Sequence, residues 1–188
     1  MAQKSDRFVA AAVGVQRPAL GVQRPALAVL GGREMLIACV PGIEELWFRR
    51  LMLSDEETMS YNHAWGGTID FPEERWREWY ERWVTHAGSA RYYRYLRDET
   101  GRFVGEMAYH FDDEAGGYMA DVIIFAEYRG RGYGGEALDM LCAAAKANGI
   151  ATLYDDIAID NPAVSLFLKH GFSEAYRTET IIMLKKEL

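Results

Sequence analysis

Asp121-Val122-Ile123-Ile124-Phe125-Ala126-Glu127-Tyr128-Arg129-Gly130-Arg131-Gly132-Tyr133-Gly134-Gly135-Glu136 is the stretch that decides the fold. It opens as an apolar strand and passes through an Arg- and Gly-rich turn. It then enters a helix whose apolar positions, Leu138, Leu141, Cys142 and Ala145, recur at helical spacing as far as Ala147. Asn148-Gly149 ends that helix. Glycines at such a junction let backbone N–H groups approach a ligand with no Cβ in the way. The N–H groups of a first helical turn, with the helix dipole behind them, favour an anion. Arg129 and Arg131 add positive charge, so the chemistry is that of a pyrophosphate site.

Working outward, Tyr92–Arg97, Phe103–Phe111 and Tyr118–Phe125 read as three strands joined by short polar turns, an antiparallel meander. Downstream, Thr152–Ile159 reads as a strand, Pro162–His170 as a short helix stopped by Gly171, and Thr180–Leu184 as a last strand. Upstream, Leu46–Leu53 is expected to be a first strand. Ser54 and Glu57 form a capping box for a helix from Asp55 to His63, broken by Gly66-Gly67. Asp70 and Glu73, with Pro72 between them, open a further helix to about Thr85. Trp76, Trp79, Tyr80 and Trp83 make one stripe on it, which is either core packing or a wall of an acceptor pocket. The expected class is α/β (α+β), a single domain over 43–188 with a mixed, mostly antiparallel sheet flanked by helices.

Residues 1–42 read differently. Gly14–Leu20 is GVQRPAL and Gly21–Leu27 repeats it; with Pro18 and Pro25 interrupting, a disordered extension is expected. Lys4 and Arg7 before the apolar Phe8–Val15 admit a secretory signal, but that run is short and lacks a clean cleavage context. Met35 is an alternative start. The extension holds five Lys/Arg against two acidic residues, leaving sixteen basic against twenty-six acidic in the rest, a charge of −10 within a total of −7. So negative a domain repels phosphate backbones and attracts cations, which argues against nucleic acid and for a positively charged amine. No apolar run reaches the ~20 residues that span a bilayer. Two cysteines, Cys39 and Cys142, make neither a disulfide framework nor a metal-ligand spacing; no metal is expected, and a reducing cytoplasm is the simplest compartment.

Gly130, Gly132 and Gly135 also satisfy G-x-G-x-x-G, and Asp155 or Asp156 could serve as the acidic partner of a dinucleotide. The preceding meander and the few residues after the loop argue against a doubly wound sheet. Arg129-Gly130-Arg131-Gly132-Tyr133-Gly134 instead resembles the signature of the GNAT superfamily of N-acetyltransferases: Arg or Gln, two residues, Gly, one residue, Gly or Ala. Asn161-Pro162-Ala163 leading to Phe167 and Gly171-Phe172 is similar to that family's Asn…Ala…Leu-Tyr…Gly-Phe segment. The resemblance covers about Leu46–Leu188. It implies acetyl-CoA as co-substrate, with its pyrophosphate on the Arg129–Gly135 backbone. It also implies a pantetheine arm against Ile123, Ile124 and Phe125, Asn161 and Phe167 on the arm's other side, and direct transfer to a primary amine.

The resemblance would place a tyrosine general acid at Phe167, where this chain has none; Tyr154, Tyr176 and His170 are the remaining candidates. The amine must lose a proton to a carboxylate. Asp156 and Asp121 are the first choices and Glu106 a third. An alternative for Asp121 is a buried pair with Arg94 or Arg97. Asp155 and Asp156 point to opposite faces of one strand, so one of them at most is expected to face the reaction. His63, His86 and His110 read as surface or structural, and Cys142 as core. Exposed aromatics among Trp65–Trp83 would suit a homodimer contact. The rival functions are a coenzyme-binding regulator without catalysis and a dinucleotide enzyme.

Overall fold

The computed structural model describes residues 36–188. The tandem repeat, Met35 and most of the expected extension lie outside the described residues. Leu36 to Gly42 belong to the domain, which therefore begins earlier than position 43: Ile37–Cys39 (β1) pairs antiparallel with Arg91–Arg97 (β2). The sheet continues through β3 (Phe103–Asp112), β4 (Gly117–Ile124) and β5 (Thr152–Ala158), then β7 (Ile181–Glu187) and β6 (Ser173–Arg177). Its order is β1-β2-β3-β4-β5-β7-β6. Every neighbouring pair is antiparallel except β4 and β5.

Helices α3 (Tyr133–Ala147) and α4 (Ala163–Lys169) share one apolar cluster with the sheet, in which Leu138, Leu141, Val104, Leu153 and Phe167 are buried. Helices α1 (Trp47–Ser54) and α2 (Glu73–Tyr80) share the other, with Phe48, Met52, Leu53, Tyr93 and Tyr95. Full burial of one such side chain contributes about 1.5–3 kcal/mol. The helix expected from Pro72 does reach Thr85, with Glu81–Thr85 wound as a π turn.

Three expectations upstream fail. Leu46–Leu53 is not a strand; Trp47–Ser54 is helical, because Phe48 with Met52 and Arg49 with Leu53 bury at i,i+4 spacing. The expected helix Asp55–His63 is a turn followed by a 3-10 segment, Ser60–Trp65. Ser54 does not cap it: its hydroxyl donates back to the Leu51 carbonyl, while Asp55 accepts from the Thr58 amide. The tryptophan stripe packs inward: Trp79 and Trp83 stack on each other and meet Tyr93 edge-on. It packs against the core, with Trp83 buried and Trp76, Trp79 and Tyr80 partly buried.

Two local features open the sheet near its middle. β3 carries a bulge at Val104-Gly105, opposite Leu96 and Arg97, where a Cβ on Gly105 would fall 2.3 Å from the Ile123 carbonyl oxygen. More important, β4 and β5 pair only at Tyr118 with Leu153 and Met119 with Tyr154, although β4 runs on to Ile124 and β5 to Ala158. β5 stays paired to β7 along its whole length. The two strands therefore splay into a wedge.

Candidate active site

The wedge opens into a cavity of about 1000 Å³. One end is the glycine loop. Gly130 and Gly132 hold φ of +77° and +88°, a region that L-residues with a Cβ avoid. The first α-helical bond of α3 runs from the Glu136 amide to the Gly132 carbonyl at 3.2 Å, so the amides before it belong to the turn that a helix cannot satisfy internally. Gly130, Gly132, Gly134 and Gly135 all line the cavity. The last two also let α4 lie against α3, since a Cβ would stand 3.2 Å from Leu166 Cδ2 at Gly134 and 2.6 Å from His170 Nε2 at Gly135.

The side chains of the loop's two arginines both make contacts within the chain. Arg129 Nε donates to the Ile124 carbonyl at 3.2 Å, and its two terminal nitrogens donate to the carbonyls of Glu57 (3.0 Å) and Thr58 (2.5 Å). It is a brace between the loop and the segment before Ser60. Arg131 is exposed over the Tyr128 ring, 5.3 Å from its centroid, and donates to the Glu127 carbonyl. Tyr133 contributes its backbone position, because its ring is buried in the α3 cluster.

Along the wedge, Ile123 and Ile124 line the cavity but Phe125 does not. The Phe125 amide donates to Val104 and its carbonyl accepts from Tyr128. Strand alternation then turns the Ile123 backbone toward β3 as well, and the polar edges of Val122 and Ile124 toward the wedge. Asn161 Oδ1 accepts from the Ala163 amide at the start of α4, and Phe167 packs edge-on against Phe172; both face the cavity.

The far end is acidic. Asp121, Asp155, Asp156 and Asp160 line it, together with Tyr61, His63 and Trp65. Asp155 and Asp156 both face the cavity, contrary to expectation, because the splay exposes the edge of β5 rather than one face of it. Asp121 lies in a cross-strand row with Ala108 and Tyr93, so its partner is neither Arg94 nor Arg97. Arg94 sits on the opposite face of β2, over Tyr92, and Arg97 pairs with Glu45. His110 lies beside it instead, with Nδ1 3.5 Å from Asp121 Oδ2. Glu106 is excluded from the cavity; it is buried against the Arg49 guanidinium and the Tyr93 hydroxyl. The mutual attraction of that pair holds the Arg49 pKa above the ordinary arginine value, although burial works against its charge.

None of the three expected general acids lines the cavity. His170 pairs with Asp139 at 2.8 Å, and Tyr154 and Tyr176 border a separate hollow with Lys185.

The acetyltransferase (GNAT) family model matches residues 51–172. The chain belongs to the GNAT family. No curated protein matches this GNAT chain by sequence. Among solved structures it is similar to the GNAT domain of S. lividans PAT, with a TM-score of 0.67 and 13% identity over 82% of this chain and 90% of that one. It is also similar to a spermidine N-acetyltransferase from Vibrio cholerae in complex with CoA and spermine (TM-score 0.64, 18% identity, 82% and 95% covered). A third likeness is to the PaiA N-acetyltransferase from Thermoplasma acidophilum in complex with coenzyme A (0.59, 14%, 82% and 99%). These likenesses establish the fold. Among the described residues, no helix is long and apolar enough to cross a membrane.

Sequence reasoning missed the Ser60–Trp65 segment of this GNAT domain, which roofs the acidic end. Asn62 closes it into a ring, donating from Nδ2 to the Gly67 carbonyl (2.7 Å) and accepting the Gly67 amide (3.0 Å). His63 Nε2 lies 3.3 Å from Asp160 across the mouth. The only signal was Asn62 four residues before the Gly66-Gly67 pair.

Proposed function

We propose that this chain transfers an acetyl group from acetyl-CoA to the primary amine of a small cationic acceptor. The carrying observation is one continuous cavity that runs from the glycine loop, along the open edge of β4, to four carboxylates. A diphosphate suits the amides at the start of α3. An extended amide-bearing arm suits the polar edge of Val122 and the amide of Ile124, whose carbonyl already accepts from Arg129. An amide on that edge would also receive the oxygen of the thioester carbonyl as negative charge develops on it.

Carboxylates at the far end attract an ammonium group and then accept its proton. Asp121 and Asp156 fit that role: both line the cavity, Asp121 from β4 and Asp156 from the facing β5. Direct attack, without an acyl-enzyme, is supported by the cysteines. Cys142 is buried on α3 and Cys39 lies on the edge strand β1, and neither lines the cavity. Burial holds both thiols above the ordinary cysteine pKa, which makes them poor nucleophiles.

The test is release of free thiol from acetyl-CoA across a panel of amines headed by those with two or more ammonium groups, with the acetylated product identified by mass. Turnover of a cationic small amine is expected. Saturable coenzyme binding with no thiol release for any amine or peptide N-terminus would replace this reading with a regulator that binds the coenzyme without using it.

A further inference from the structure

The proposed transfer reaction moves protons at two atoms. The attacking nitrogen sheds one, and the departing sulfur must take one up. Expelling a bare thiolate beside Ile124, Leu166 and Phe167 is costly, because that part of the cavity is apolar. The question is which lining side chain has a proton to give.

Hydroxyl and imidazole groups on the cavity wall are those of Ser60, Tyr61, His63, Tyr128 and Tyr133. Ser60 already donates to the Glu57 carbonyl at 2.8 Å. Tyr133 is 1% exposed and its ring lies in the core. Tyr128 sits at the glycine-loop end beneath the Arg102 and Arg131 guanidinium groups. His63 is exposed at the mouth, against Asp160. Tyr61 is different. Its hydroxyl is directed at the Met59 sulfur, 3.9 Å away, which is a weak acceptor and leaves the proton cheap to redirect.

Its position is also built independently of that hydroxyl. Thr58 Oγ1 accepts the Ala126 amide at 2.9 Å, Arg129 grips the carbonyls of Glu57 and Thr58, and Asn62 closes the ring just beyond. We infer that Tyr61 donates the proton to the leaving sulfur. The N–C bond forms, the C–S bond breaks with its electron pair going to sulfur, and the phenol proton passes to that pair. The nitrogen's proton goes to Asp121, which can hand it on to the phenolate, so the sequence closes without a co-reactant.

The charges around the ring fit this order of events. Burial first, then the carboxylates of Asp121 on β4, Glu106 on β3 and Asp155 on β5, hold the Tyr61 pKa above the ordinary tyrosine value, with Arg129 pulling the other way. His63, on the same turn, and Asp160 stand further out. These influences favour the protonated phenol, the form that can donate. Once Asp121 has taken the nitrogen's proton, one of the charges opposing phenolate is gone, and the acid is released by the action of the base.

Because this rests on the proposed transfer, the experiment starts with an amine that the wild type acetylates. Tyr61→Phe should melt as the wild type does and keep its KM for acetyl-CoA, while kcat falls by about 10²-fold or more. Fluorotyrosines at position 61 should bring an alkaline limb in kcat to lower pH in step with the acidity of the phenol, a limb that Tyr61→Phe lacks. A ring that only packs would move no such limb. Unchanged kcat in Tyr61→Phe, or a limb indifferent to fluorination, overturns the inference and leaves the transfer reaction standing. A wild type that acetylates no amine removes the reaction, and the inference with it.

Discussion

Gly132→Ala separates the ligand geometry of the loop from its backbone cost. Gly132 has φ +88° and ψ −4° at the entry to α3. Holding an L-residue there costs about 1–2 kcal/mol. Gly149, just beyond the other end of α3, has φ +79° with open space around its Cβ direction, and it is remote from the cavity. Gly149→Ala therefore carries the same backbone strain with none of the ligand chemistry. At about 2–4 °C per kcal/mol for a domain of this size, each variant should lose roughly 2–8 °C in Tm. In Gly132→Ala the strain relaxes by rotation toward negative φ, which swings the first amides of α3 off the diphosphate. A hydrogen bond to a charged group contributes about 1.5–3 kcal/mol. One lost bond thus weakens coenzyme A binding about 10–150-fold, at 1.4 kcal/mol per factor of ten. Thermal melts and calorimetric titration with coenzyme A are the assays. Matched Tm losses with affinity lost only in Gly132→Ala are expected. Wild-type affinity in Gly132→Ala, or an equal loss in Gly149→Ala, would refute the claim that these amides hold the diphosphate.

Asp121→Asn should lower kcat by about 10²–10⁴-fold while leaving coenzyme A affinity in place, as titration beside steady-state kinetics would show. Glu106→Gln should instead act on stability, by about 3–5 kcal/mol in urea unfolding, because it leaves the buried Arg49 charge uncompensated; activity per folded molecule should survive. Asp98 accepts from the Thr100 and Arg102 amides and pairs with the Arg102 side chain, and those bonds, outweighing the burial that opposes its charge, hold its pKa below the usual carboxylate range. Its folded pKa is depressed, so its stabilisation is complete above the unfolded value of about 3.9 and is lost as pH falls through the folded value. Asp98→Asn should cost about 1.5–3 kcal/mol at neutral pH and flatten the decline in stability below pH ~4.

What the sequence made legible was whatever depends on neighbours along the chain. The glycine-rich turn leading into a helix, the i,i+3 spacing of Leu138 and Leu141, and the turns of the meander are local properties, and each is legible in the sequence. The partner of Asp121 is a matter of register: Arg94 is excluded because it lies on the other face of β2, which no single-strand pattern reveals. Phe125 was placed in the wedge for the same reason, since which residues turn their backbone to β5 follows from the Phe125–Val104 bond across two strands. The short apolar run Leu46–Leu53 fits either period, and burial of two arginines beside its leucines decided for the helix. β1 escaped notice as a three-residue edge strand just ahead of Pro41, and β6 as five exposed residues with no apolar alternation.

The least legible element is also the one that joins the two halves of the chemistry. Tyr61 sits on a segment with no periodicity, and what braces that segment beside the cavity is a side chain some seventy residues away, in the loop that would hold the other substrate. Arg129 suits that work because a guanidinium is a planar fork with five N–H donors, enough to reach three carbonyls from three residues at once. A lysine ammonium is a point donor on a flexible stem and cannot span the same set. The arginine of the glycine loop thus contributes through geometry more than charge. By tying Ile124, Glu57 and Thr58 together, it fixes the distance between the strand edge that would receive the thioester and the phenol that would protonate it.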